Sequence, residues 1–482
     1  MKMEFKEILP RTNTNLHEQK KKFEEKVRGV PMVRGLRILV SSLVFFSGFN
    51  LFGQTIDLEQ ARVLALANSR SLARYEIAIR TSILDERTQL YNMLPQISAG
   101  YGASASFMRD WEPVNPYDTL SAGANFSVTQ VIFQGGKNFL QKAISAIGTE
   151  SIRIDALAEY FNVLDAVDNA YYSVLEAAAT LEAEESSLQA AILGLSIAEI
   201  RHSSGMINPG DFLKALADKE ARENSRNQAR RNLSMSLNRF NALTGLTETM
   251  ELEEIDFKKY DDVINYLAAI SDEDAFILFE RFWNILTDVN PSLSRAALNS
   301  ERALMNFKIA RRDYAPTITA TIFSTDISFL PSHGATGSSG FSIRGTIPVD
   351  FWVMNNRIER SRISRDSALL DYANTQSSIE QELQNALFNL FSQAGSVLSS
   401  RRSLEYTQRH FDYVMERYRL LQSSVSDLNE ATTLFINSRN SSTRASYSFL
   451  QSLSRLRSLC AINDEQQLLE LLLGIRVNEL YE

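Results

Sequence analysis

The sequence predicts a mainly α-helical protein that also carries membrane β-strands. Long antiparallel helical hairpins and four strands are laid out as two structural repeats. Three observations predict this. Residues 138–202 contain no proline and only two glycines, Gly148 and Gly194. Their apolar positions, among them Leu157, Phe161, Leu164, Val167, Tyr171, Val174 and Leu175, recur at spacings of three and four, one stripe on a helix face. Such a helix is about 100 Å long, against about 30 Å for a compact domain. Elsewhere the period drops to two, which marks strands. The whole pattern then occurs a second time.

The elements follow in order. Residues 1–31 are polar and basic without a helical period, and read as a non-native extension upstream of a true start at Met32. In residues 32–53, the basic Met32-Val-Arg-Gly-Leu-Arg37 precedes an apolar run, Ile38–Phe52, and the small Gly53. That is the layout of a secretory signal peptide; as a bilayer span, the other reading, about 15 residues is short. The first repeat, 54–246, opens with a helix from Ile56 to about Leu90, stopped by Pro95.

Ile97, Ala99, Tyr101, Ala103, Ala105 and Phe107 then alternate with serines and glycines, a strand. Pro113 and Pro116 mark a loop, and Ala122, Ala124, Phe126, Val128 and Ile132 a second strand. Gly135-Gly136 form the strand-to-helix turn. After the long helix the chain breaks at Ser203–Gly210, around Gly205, Pro209 and Gly210. Asp211 is the expected N-cap of a helix to Thr244, with Gly245 as its C-cap.

Residues 247–274 are an acidic connector. The second repeat, 275–462, holds a strand at Thr317–Phe329, a loop with Pro331, Gly334, Gly337 and Gly340, and a strand from Phe341 to Phe351. A proline-free helix is expected from about Asn355 to Leu421, a break at Gln422–Ser426 with Ser423 and Ser424, and a last helix. Ser71-Leu72 and Pro95 match Ser292-Leu293 and Pro316 at one offset, and Asp211-Phe-Leu-Lys-Ala215 matches Asp427-Leu-Asn-Glu-Ala431 at nearly the same one. The C-terminal tail, 463–482, is expected to be peripheral.

Residues 1–53 hold ten Lys/Arg and five Asp/Glu, so the remainder carries 40 against 53, a net charge of −13. An acidic chain excludes nucleic acid as the expected partner. The single cysteine, Cys460, rules out a disulfide within the chain and suits an oxidising compartment.

Strands of about 9 to 11 residues cross a bilayer when tilted. Phe107, Trp111, Phe133, Phe329, Phe341, Phe351 and Trp352 lie near the strand ends, where interfacial girdles sit. Four strands cannot close a barrel, because membrane barrels begin at about eight. An open edge in lipid leaves backbone groups unpaired at several kcal/mol each. Copies of the chain must therefore share one barrel; two give eight strands and three give twelve. The Ser, Gly, Thr and Asn face suits water.

Val131-Ile-Phe-Gln-Gly-Gly-Lys137, the tandem repeat, and Asp427-Leu-Asn-Glu-Ala-Thr-Thr-Leu434 at the second hairpin tip carry a resemblance. Over residues 56 to about 462 the chain resembles the TolC-like outer membrane efflux protein family. The resemblance implies a homotrimer: a shared twelve-stranded transmembrane β-barrel in outer membrane lipid above a periplasmic α-barrel of twelve helices. It implies an exit duct for a tripartite efflux pump or type I secretion, with a periplasmic adaptor (membrane fusion) protein and an inner membrane RND or ABC transporter as partners. It places the adaptor contacts at the hairpin tips, Gly205, Pro209, Gly210, Ser423 and Ser424. At the periplasmic gate it puts an acidic ring on Asp427 and Glu430, and a closing pair on Asp211 and Tyr418. Two segments depart from the family pattern. Phe351-Trp-Val-Met-Asn-Asn-Arg357 lacks the paired glycines, and Ser423 stands where an arginine link is expected.

Asp427 and Glu430, at i and i+3, share a helix face, and three-fold symmetry would gather six carboxylates in one cation-favouring ring. Asp427 also reads as a helix N-cap, and Glu430 as a solvated residue of the capping-box kind. No enzyme is expected. The four histidines, His17, His202, His333 and His410, form no metal spacing, since Glu199-x-x-His202 lacks the second pair that a di-iron site needs. Gly100-Tyr-Gly102-Ala-Ser-Ala105 lies within a strand, not at a phosphate-binding turn. No cofactor is implied. A periplasmic helical adaptor or scaffold without a pore is the alternative function.

Overall fold

The computed structural model describes residues 55–105, 120–247, 250–328, 338–420 and 422–474. The proposed leader (1–53), the strand-end residues Phe107, Trp111 and Phe329, the loop residues Pro113, Pro116, Pro331, Gly334 and Gly337, and the last residues of the tail lie outside them. The described chain forms two compact units, residues 74–156 with 292–376, and the remainder.

The sheet belongs to the first of these. Strands β1 (Gln96–Ala105), β2 (Leu120–Gln134), β3 (Thr317–Ser328) and β4 (Ser338–Thr346) pair antiparallel in the order β1-β2-β3-β4. Register sorts the side chains by face. Ile97 pairs with Val128, Val128 with Ile322 and Ile322 with Phe341, one apolar row across all four strands. The neighbouring row reads Gln96, Thr129, Thr321, Ser342, entirely polar. Ile97 is 70% exposed, Ile322 56% and Phe341 63%, so among the described residues no layer covers these apolar side chains.

β4 departs from expectation at both ends. It starts at Ser338, taking in Gly340, and stops at Thr346 although Ile347, Val349 and Phe351 continue the alternation. Pro348 has no N–H to give a ladder, and the next helix begins at Phe351. In the same unit lie most of α2 (Arg70–Tyr91) and of α7 (Pro291–Arg311), and the first parts of α3 (Lys137–Ser203) and α8 (Phe351–Arg419).

The second unit is built on the rest of α3 and α8, with α1 (Leu58–Asn68), α4 (Pro209–Thr244), α5 (Asp261–Ala268), α6 (Asp272–Val289), α9 (Val425–Leu459) and α10 (Glu465–Leu473). The single N-terminal helix expected from Ile56 is two helices, parted at Ser69, whose hydroxyl accepts from the Leu72 amide and restarts the chain. Asn68 donates its side-chain amide to the Leu243 carbonyl at 3.2 Å, at the end of α4, and Gly245 closes that helix with φ 78°.

A charged cluster lies inside this unit. Asp168 on α3 is fully buried. It accepts from Arg62 on α1 at 2.7 and 2.9 Å, from Arg457 on α9 at 2.5 Å and from the Ser454 hydroxyl at 2.8 Å. Burial works against the Arg62 charge, yet the bonds to Asp168 outweigh it and hold the guanidinium above its usual range.

The acidic connector packs. A 3-10 turn at Phe257–Tyr260 leads into α5, and Tyr260, Val263, Ile264 and Leu267 are buried. The tail is not peripheral through Gly474. Leu468, Leu469, Leu471 and Leu472 of α10 are buried, Tyr260 donates to the Glu465 carboxylate, and Arg281 donates to the Leu471 carbonyl at 2.8 Å. The apolar period of residues 468–472 is a one-turn amphipathic stripe, long enough to cover α5 and α6.

Candidate functional site

The two hairpin tips are turns closed by backbone and capping hydrogen bonds. At the first, the Gly205 amide donates to the His202 carbonyl and the Met206 amide to the Arg201 carbonyl, with Gly205 at φ 72°. This left-handed closure is the one glycine permits. α4 is capped by Asn208, not Asp211. The Asn208 oxygen accepts from the Asp211 amide at 2.8 Å, and Pro209 takes the first helical position, where no N–H is needed. Gly210 follows, with the Asn208 oxygen 3.0 Å from where a β-carbon would stand.

The second tip repeats the solution with different residues. Its N-cap is Ser424, not Asp427. The hydroxyl accepts from the Asp427 amide at 3.1 Å, while the Asp427 carboxylate accepts from the Ser424 amide at 2.9 Å, a reciprocal capping box. The backbone N–H and hydroxyl of Ser424 hold the Asp427 carboxyl below its ordinary range. Asp427 and Glu430 are both exposed on the same side of α9, and Glu430 takes no part in the box.

Asp211 and Tyr418 are not bonded to each other. The Asp211 carboxylate accepts from the Asn208 amide group at 2.9 Å. Tyr418 is fully buried, and its hydroxyl donates to the Gly194 carbonyl of α3 at 3.1 Å. A helix N-cap and a buried backbone carbonyl have taken the two groups.

The residue that links the tips is Arg201, which the sequence reading passed over. It lies at the end of α3, with a side chain that is 6% exposed. Its guanidinium donates to the Tyr418 carbonyl at 2.5 Å and the Ser423 carbonyl at 3.3 Å, and sits 4.4 Å above the Tyr418 ring. The Tyr418 side chain belongs to a buried apolar cluster with Ala198, Ala215, Val414, Met415, Val425 and Leu428. Lys214 adds a bond to the Ser426 hydroxyl at 3.0 Å. An isolated arginine near a helix end gives no sequence signal of this kind.

At the other functional turn, Gly135 and Gly136 have φ 63° and 71° between β2 and α3. A β-carbon at Gly135 would stand 2.6 Å from that of Ala315. The Gly136 carbonyl accepts from Arg312 at 2.9 Å. Lys137 and Arg357 both reach Asp313, at 2.6 and 2.9 Å. Burial alone would raise that carboxyl; the two cations bring it below its usual range. Among the described residues, no cluster of His, Cys, Asp and Glu could hold a metal ion.

A family model described as outer membrane efflux protein matches residues 61–246 and 285–461. The chain belongs to the outer membrane efflux protein family. It is 21% identical over 453 residues to the outer membrane protein TolC of Escherichia coli K12, covering 88% of this chain and 86% of that one. The CmeC outer membrane channel of Campylobacter jejuni has a similar fold, with TM-score 0.67, 17% identity, and 85% and 88% of the two chains covered. CusC aligns with TM-score 0.70 at 16% identity, covering 86% and 95%.

As an efflux family member the chain is an outer membrane protein with its helices on the periplasmic side, and a conduit, not an enzyme. This member keeps the paired-glycine turn once. At the second junction, between β4 and α8, Arg357 secures the helix to Asp313 instead. At Ser423 the backbone carbonyl accepts from Arg201 and the hydroxyl donates to the Val414 carbonyl.

Proposed function

We propose that three copies of this chain form an outer membrane exit duct for a tripartite efflux pump or type I secretion system. In this reading the protein is a passive homotrimeric conduit. Its twelve-stranded barrel opens into a periplasmic α-barrel that closes at the hairpin tips. The observation that carries the reading is the sheet: four strands, an exposed apolar row on one face, a polar row on the other and, among the described residues, two unpaired outer edges, β1 and β4. In lipid each unpaired backbone group costs several kcal/mol, and pairing β1 of one copy with β4 of the next removes every edge.

The tips complete the reading. A periplasmic adaptor would dock at Gly205, Pro209, Gly210, Ser423 and Ser424, and an inner membrane RND or ABC transporter would supply the energy. Asp427 and Glu430, exposed together near the end of the hairpin, would form a six-carboxylate ring that favours cations. Asp211 and Tyr418 would belong to the closed gate through their separate partners.

Single-channel recording in planar bilayers tests the proposal. The purified protein is expected to conduct with a preference for cations, and Asp427→Ala with Glu430→Ala to weaken that preference. Unchanged selectivity in the double variant removes the ring. A protein that inserts in no bilayer and stays monomeric in water supports the scaffold alternative.

A further inference from the structure

Buried cations ordinarily meet a carboxylate, because a desolvated charge without one is expensive. Arg62 and Arg457 obey this rule at Asp168. Arg201 does not. Among the described residues no carboxylate pairs with it, its Nε has no acceptor, and its bonds go to two backbone carbonyls.

Those carbonyls have a particular place. α8 ends at Arg419, so the Tyr418 carbonyl is one of the last four, which no amide of the helix can satisfy. The carbonyl end of a helix carries the negative pole of its dipole. The Ser423 carbonyl lies in the turn just beyond. Arg201 thus supplies, from the first repeat, the cation that closes the C-terminal end of α8 in the second repeat. The Tyr418 ring beneath the guanidinium adds a cation–π contact, and its hydroxyl, bonded to Gly194, fixes the ring to the same helix that carries Arg201.

We propose that Arg201 is the internal latch of the tip. The guanidinium holds the second hairpin's turn against the first, and the two can part only as it becomes hydrated. The inference rests on the reading of the chain as a tip-gated duct, which it deepens by naming the residue that opposes opening. Arg201 touches no cargo; it is a positioning residue, acting through the Tyr418 and Ser423 carbonyls. The chemistry also ranks its replacements. Lysine keeps the charge but offers one compact donor group in place of a planar fork, and methionine keeps the stem alone.

Amide hydrogen exchange on the full-length protein in detergent tests the latch without reference to conduction. In Arg201→Met, residues 418–428 are expected to exchange about tenfold faster or more, the loss of charged hydrogen bonds. Arg201→Lys should fall between, Tyr418→Phe should change little, and residues 160–175 should not change in any of them. Unchanged exchange in Arg201→Met overturns the latch whatever the protein conducts. Planar-bilayer recording separates the two claims. A conducting wild type whose Arg201→Met variant has the same resting conductance overturns the latch alone. A wild type that never conducts, with exchange still faster in the variant, overturns the duct and leaves the contact. If Arg201→Met does not fold, the Arg201→Lys exchange at 418–428 decides, and wild-type protection there overturns the latch.

Discussion

Asp168 shows how much one side chain can hold. It pairs with two buried guanidinium groups that come from opposite ends of the sequence. Among the described residues, Asp168→Ala would leave the buried Arg457 charge without a carboxylate and Arg62 with only Glu59 and, at 3.9 Å, Glu465, a loss of about 3–5 kcal/mol. Urea unfolding monitored by circular dichroism should show it as a lower midpoint; a shift under about 1 kcal/mol would mean that water reaches the cluster. Among the described residues, four carboxyls are held below their ordinary range: Asp313 and Glu465, where cation or hydroxyl bonds outweigh burial, Asp427, where the capping bonds do it, and Glu223, bonded to Lys219. A depressed pKa adds stability that is complete above the unfolded value and is lost as pH falls through the folded one. The expected outcome is a melting temperature that is flat near neutrality and declines below about pH 4.5. A protein that gains stability on acidification through that window contradicts the assignment.

At the scale of elements, caps and turns decide where this chain bends. Ser424→Ala removes the reciprocal box of α9 and should cost about 1 kcal/mol, read as faster exchange of the first amides of that helix. Gly135→Ala meets both a left-handed backbone and the Ala315 side chain, so the strand-to-helix turn should be strained by about 1–3 kcal/mol. A lower yield of heat-stable oligomer would show it; a wild-type yield would mean that the turn shifts freely. Most elements were legible in the sequence, because strand alternation and the proline-free runs are periodic signals that burial enforces. The misreadings are also physical. Asn208-Pro209 and Ser424-x-x-Asp427 are both cap signatures, overlooked because each aspartate is itself a good cap. Ile347-Pro-Val349 kept the strand period after Pro348 had ended the ladder. The contacts of Arg201 and of Asp168 join residues more than a hundred positions apart, and no local pattern encodes them.

For the whole molecule, the sheet poses the question that assembly must answer. In its apolar row Ile97, Ile322 and Phe341 are exposed and Val128 is half-buried, and Trp352, 72% exposed, stands in the first turn of α8 after β4. Aromatic residues at strand ends belong at a membrane interface. The tip capping, the Asp313 junction and the Asp168 cluster are complete within one chain, whereas the strand edges are not. The most direct measurement is the protein mass of the detergent-solubilised particle by native mass spectrometry. The account predicts three chains, twelve strands in one closed wall. A particle that is a single chain at every concentration would contradict it.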